Sequence, residues 1–165
     1  MNESLTKLIA CLREELQQYG EMLARLDDQQ NRVIQRDADQ ILETASAVQT
    51  QGAVVQEARN ERERAQQAFA LSLGLPENAA FAQMLPLSPE VCRPLVGALI
   101  HENNELLVRV RQRARQNHVL LARSLELMRQ LLETLFPAGR SPVYAENGSV
   151  FTRGLPAQSI YEAVG

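Results

Sequence analysis

A chain of 165 residues with 45% hydrophobic and 22% charged residues has the size and balance of one globular domain with its own core. Its formal net charge of -3 supplies no concentrated basic surface for neutralising phosphates, which argues against a nucleic-acid partner. Ala, Leu, Gln, Glu and Arg dominate, aromatic residues make up 4% and Trp is absent. These residues lose little side-chain freedom in a helix, so the expected fold class is all-α.

The N-terminus, Met1-Asn2-Glu3-Ser4, lacks the basic start and apolar run of a signal peptide. No uncharged apolar stretch approaches the roughly 20 residues of a membrane span, so a cytoplasmic protein without membrane insertion is expected. In the first segment Leu5, Leu8, Leu12, Leu16, Tyr19, Leu23, Leu26 and Val33 recur at helical spacing, predicting a helix over about 4–35 with one apolar stripe. Asp37 followed by Gln40 reads as a capping box after a turn or kink near Arg36.

A second helix over about 38–73 carries the stripe Ile41, Ala45, Val48, Gly52, Val55, Ala58, Ala65, Phe69 and Leu73. Its small residues permit close approach but bury little apolar area, making Gln49 to Gly52 the expected soft part of the hairpin. Gly74 and Pro76 end this helix. Residues 74–89 form a connector with three prolines and Phe81, Met84, Leu85 and Leu87. It reads as a segment with one short helix packing down on a bundle end, in preference to a peptide-binding loop.

The third long helix is expected over about 90–136, opening near Ser88-Pro89 with Pro94 delaying regular hydrogen bonding. Its stripe reads Val91, Leu95, Leu99, Leu106, Val110, Ala114, Leu121, Leu125, Met128, Leu131 and Leu135. At 1.5 Å per residue it would run about 70 Å. The architecture expected is therefore an elongated bundle of three long antiparallel helices, a hairpin plus one long third helix, in residues 1–136, followed by an extended C-terminal tail over 137–165.

Catalytic, metal and cofactor patterns are missing. Ala98 and Arg115 stand three residues before His101 and His118, where a di-iron bundle would place glutamates. There is no P-loop, GxGxxG or GxSxG, so neither an enzyme nor a bound cofactor is expected. Cys11 and Cys92 read as reduced, small core-type residues, with a disulfide as the alternative. Arg109, Arg111, Arg113 and Arg115 alternate and fall on two nearly opposite sides of a helix, so they read as partners for acidic residues such as Asp27, Asp28 and Glu15 on the other helices. Arg59, Arg62 and Arg64 read as a solvated face.

The tail concentrates the aromatic residues. Of the three tyrosines and four phenylalanines, Phe136, Tyr144, Phe151 and Tyr161 lie beyond Leu135, which is unlike a merely disordered segment. Phe136 reads as folding back on the bundle. Tyr144, between Pro142 and Gly148, reads as a contact residue, since Tyr offers a large contact area at low entropy cost. A short helix over 157–164 would present Ile160, Tyr161 and Val164.

The segment Leu99-Ile100-His101-Glu102-Asn103-Asn104-Glu105-Leu106-Leu107, the run ending Leu131-Leu132-Glu133-Thr134-Leu135, and Val143-Tyr144-Ala145-Glu146-Asn147-Gly148 together resemble the FlgN-type flagellar export chaperones. The motif residues are Asn103, Leu106 and Leu107, with Ile100 standing where the family has a further asparagine. The resemblance implies a chaperone of the flagellar type III export system that binds the C-terminal helical regions of hook-filament junction proteins and delivers them to the export gate. It also implies that Tyr144 and Gly148 dock on the cytoplasmic domain of the export gate protein, and that Leu127, Leu131, Leu135, Ile160 and Tyr161 contact the client. The export ATPase complex is a further expected partner. The competing expectation is a self-associating structural coiled coil, a homodimer without a client.

Overall fold

The computed structural model describes residues 3–136 and the backbone of 143–144 and 150–151. Four α-helices are present among them: α1 over Glu3–Gln35, α2 over Ala38–Ser72, α3 over Phe81–Met84 and α4 over Arg93–Leu135. A 3-10 turn at Leu85–Leu87 follows α3. Two short strands, β1 at Val143–Tyr144 and β2 at Val150–Phe151, pair antiparallel with Tyr144 opposite Val150. This ladder is an addition to the expected extended tail, and helical periodicity gave no sign of it. The expected helix over 157–164 lies outside the described residues.

The chain divides into two compact units, residues 1–120 and 121–165. In the first, α1 and α2 form an antiparallel hairpin closed by a two-residue turn, Arg36 and Asp37. Arg36 adopts a left-handed conformation at φ 58°, and the amide of Asp37 donates to Arg32 O at 3.3 Å, satisfying one of the carbonyls a helix end leaves free. Asp37 then caps α2 by accepting from Gln40 N at 3.2 Å, as its sequence position predicts. The break near Arg36 is thus a turn.

The core gathers at the end of the hairpin that carries the chain's N-terminus. Leu5, Leu8, Ile9 and Leu12 of α1 meet Ala65, Phe69 and Ala70 of α2 and Val96 and Leu99 of α4. Connector residues Ala79 and Met84 are buried in the same cluster, with Leu75, Phe81 and Leu85 packed against it, so the connector does pack down on the bundle end. Gly74, at φ 73°, closes α2 in the conformation that favours glycine. Both cysteines are free thiols packed against this core, and burial raises the pKa of Cys11.

Helix α4 begins at Arg93 rather than near Pro89. The amides of Cys92 and Arg93 both return to Pro89 O, and Pro94 lacks an N–H, so a turn precedes the regular helix. The predicted stripe of this helix meets the buried face at Leu99 and, half-buried, at Leu106 and Val110, but departs from it on either side. Val91 is 92% exposed and Leu95, Ala114 and Leu125 are exposed. The buried positions are Val96, Leu99, Asn103 and Asn117. Counting only apolar residues misses part of this face, because two asparagines occupy the seam.

Candidate functional site

The contact of α1 with α4 is built on polar side chains. Asn103 Nδ2 donates to Leu12 O at 2.9 Å and to Leu99 O of its own helix at 2.9 Å. Two heptads along, Asn117 Nδ2 donates to Leu26 O at 2.7 Å and to Gln29 Oε1 at 3.0 Å. Both cross-helix bonds span the same sequence separation of 91 residues, so α4 runs parallel to α1 in this unit and is held in one register. Each asparagine leaves its Oδ1 buried without a hydrogen-bond partner. What the amides do fix is register, since each Nδ2 meets one particular α1 carbonyl.

Between the clamps, a Cβ at Gly20 would lie 3.9 Å from Leu106 Cδ2, so α1 offers Leu106 an open flank there. Arg113 Nε sits 2.7 Å from Asp27 Oδ1 and its guanidinium also donates to Gln30 Oε1. This is the kind of cross-helix pairing expected for that arginine series. Leu106 and Leu107 are half-buried and Asn103 is buried, so the three motif residues have structural surroundings.

The α1–α2 seam carries a second buried polar group. Glu15, 4% exposed, accepts from Tyr19 Oη at 3.0 Å and from Arg62 Nε at 3.0 Å. Arg62 is therefore drawn inward and is no part of a solvated face. Burial, reinforced by the adjacent Glu15 carboxylate, pushes the Tyr19 phenol up to about 12. Gln51 Nε2 donates to Gln18 Oε1 at 2.8 Å, so the stretch expected to be softest holds a buried amide contact. A pocket of about 190 Å³ opens above this network, bordered by Arg59, Phe81, Ile100, Asn103 and Leu107. Its charged groups are already paired, Arg62 with Glu15 inside it and Arg59 with Glu63 beside it.

The second unit presents the opposite surface. At the end of α4, Leu125, Leu127, Met128, Leu131, Leu132 and Leu135, with Phe136 just after it, are each at least half exposed. Phe136 is 73% exposed, so it does not fold back as its position suggested. The other side of this segment is polar and internally paired. Arg129 bonds Glu126 at 2.9 Å and also Glu133, while Gln130 Nε2 donates to Glu126 Oε1 at 2.9 Å.

Of the residues singled out for binding, Leu127, Leu131 and Leu135 lie together on this exposed segment, and Tyr144 lies in β1. Gly148, Ile160 and Tyr161 lie outside the described residues. Sequence reading missed Glu15, Arg62 and Asn117 as buried positions. The available signal was spacing, since Asn117 follows Asn103 by two heptads and Glu15 interrupts an otherwise apolar row. No group of His, Cys, Asp and Glu that could hold a metal is present among the described residues. No described helix is long and apolar enough to cross a membrane.

Comparison with curated proteins and with solved structures found no match. The FlgN protein family model matches residues 1–150, which takes in the asparagine-clamped helices, the exposed end of α4 and the Tyr144 strand. The chain belongs to the FlgN family of flagellar export chaperones.

Proposed function

We propose that this protein is a non-enzymatic, cytoplasmic chaperone of the flagellar type III export system whose clients are the hook-filament junction proteins. It receives their C-terminal helical regions, keeps them export-competent and hands them to the export gate, with the export ATPase complex as a further contact. The observation that carries the reading is the exposed apolar end of α4. Leu127, Leu131 and Leu135 are 66%, 51% and 61% exposed, whereas soluble monomers seldom leave a contiguous apolar patch larger than a few hundred Å² in water. An amphipathic client helix laid on this face removes both apolar surfaces from solvent.

Tyr144 and Gly148, with Ile160 and Tyr161 further along, complete the reading as gate-docking and additional client-contact positions. In calorimetry, a C-terminal segment of a junction protein binds with measurable heat and a gain in helical circular dichroism; no heat and no helix gain would remove the client assignment. The change Tyr144→Ala leaves client binding intact and abolishes pull-down by the cytoplasmic domain of the gate protein. An unchanged pull-down would reassign that residue.

A self-associating coiled coil is the second reading, favoured by the 4-3-4-3 spacing of Leu121, Leu125, Met128, Leu132 and Leu135. Light scattering separates the two. The chaperone reading expects a client-free chain whose mass falls to that of a monomer on dilution, and the rival expects a stable homodimer.

A further inference from the structure

The exposed face of α4 is wider than one partner helix covers. At about 100° per residue, the apolar side chains between 121 and 136 fill an arc of about 180°, broken only by Ser124. A single coiled-coil partner covers the much narrower stripe made by a and d positions. Here there are two rows. One runs through Leu125, Met128, Leu132 and Leu135; the other, about 80° to 100° around the helix, contains Leu127 and Leu131. Residues of both rows are 50% exposed or more.

Resting on the client-binding reading above, we propose that the end of α4 receives two helical segments of one client chain, one along each row, and so becomes the third helix of a composite bundle. Two observations select this occupant. A second copy of this chain, paired helix to helix, would cover one row and leave the other in water. The segment carries two arginines, Arg123 and Arg129, against two glutamates, Glu126 and Glu133, with Arg129 paired to both carboxylates, so the face offers a partner apolar contact without a net charge to match. Seven large apolar side chains, each at least half exposed, form a patch suited to the roughly 800 Å² that one partner contributes to a standard interface. Two segments of one chain cover it with a single loss of translational freedom, the second binding at the high effective concentration its linkage sets.

The test uses the full chain and the C-terminal segment of a junction protein, titrated by calorimetry against two double variants. Leu125→Glu with Leu132→Glu disrupts one row, and Leu127→Glu with Leu131→Glu disrupts the other. All four positions are exposed, and circular dichroism verifies that helix content is retained. The expected result is one-to-one binding to the unaltered chain, at least a tenfold loss of affinity in each double variant, and less than a threefold change with added salt. If only one row matters, a single client helix binds and the two-helix proposal is overturned while the client-binding reading stands. If neither row matters and the segment still binds, the client sits elsewhere: the two-helix proposal is overturned and the end of α4 no longer carries the client-binding reading. A client-free dimer by light scattering, dissociated by either double variant, assigns the face to a second copy and overturns the proposal.

Discussion

Two stretches of α4 handle similar raw material in opposite ways. Between Val96 and Asn117 the helix buries amides and ties them to α1 carbonyls; between Leu125 and Phe136 it leaves leucines in water. If folding stability alone shaped this helix, apolar side chains would occupy the seam and polar ones the exposed end. The contrast separates the two duties of a chaperone. The seam must adopt one arrangement, which buried polar groups specify, whereas on the proposed function the free end accepts another protein's surface, which apolar groups do without demanding a particular charge.

Substitutions should expose this contrast in order of size. The largest loss is expected from Arg62→Ala, which leaves the buried Glu15 carboxylate without its guanidinium and costs about 3 kcal/mol or more in denaturant unfolding. Asn117→Ala should cost about 1 to 3 kcal/mol, because it removes the Nδ2 bonds to Leu26 and Gln29 and opens space in the seam. Arg36→Gly should instead stabilise by about 1 kcal/mol, since glycine holds the positive φ of that turn without the Cβ clash. Leu131→Ser, on the exposed end, should stay within about 0.5 kcal/mol. A loss as large as that of Asn117→Ala would show that the end of α4 is packed, and the comparison would collapse.

A pH scan sharpens the first half of the contrast. Tyr19 is held protonated in the fold up to about 12, above the ordinary tyrosine value near 10. A raised folded value means that the unfolded chain releases its proton first. The contribution is therefore complete below about pH 10 and is lost as pH climbs toward 12. Denaturant unfolding across that window should show the fall, and Tyr19→Phe should reduce its slope.

Much of this was legible in the residues. The spacing of Leu5, Leu8, Leu12 and Tyr19, the Asp37 cap and Gly74 placed α1, α2 and their ends. The resemblance carried by Asn103, Leu106, Leu107 and Tyr144 agrees with the family match. What periodicity could not reveal was the polar part of the α4 seam, although Leu99, Leu106 and Val110 were placed on it. A rule that counts only apolar residues passes over Asn103 and Asn117, and it extended the stripe to Val91 and Leu95, which are exposed. The inward turn of Arg62 escaped for a related reason: the sequence shows a charge but not the carboxylate 47 positions away that draws it in. The width of the apolar arc at the end of α4 was present in the residues, yet without burial it reads as ordinary core.

Hydrogen exchange on the full chain, with and without a junction-protein C-terminal segment, tests the division of α4 most directly. The account expects the amides of residues 121–136 to gain strong protection on binding while those of 96–117 stay as they were. Protection gained at 96–117 with none at 121–136 would contradict it.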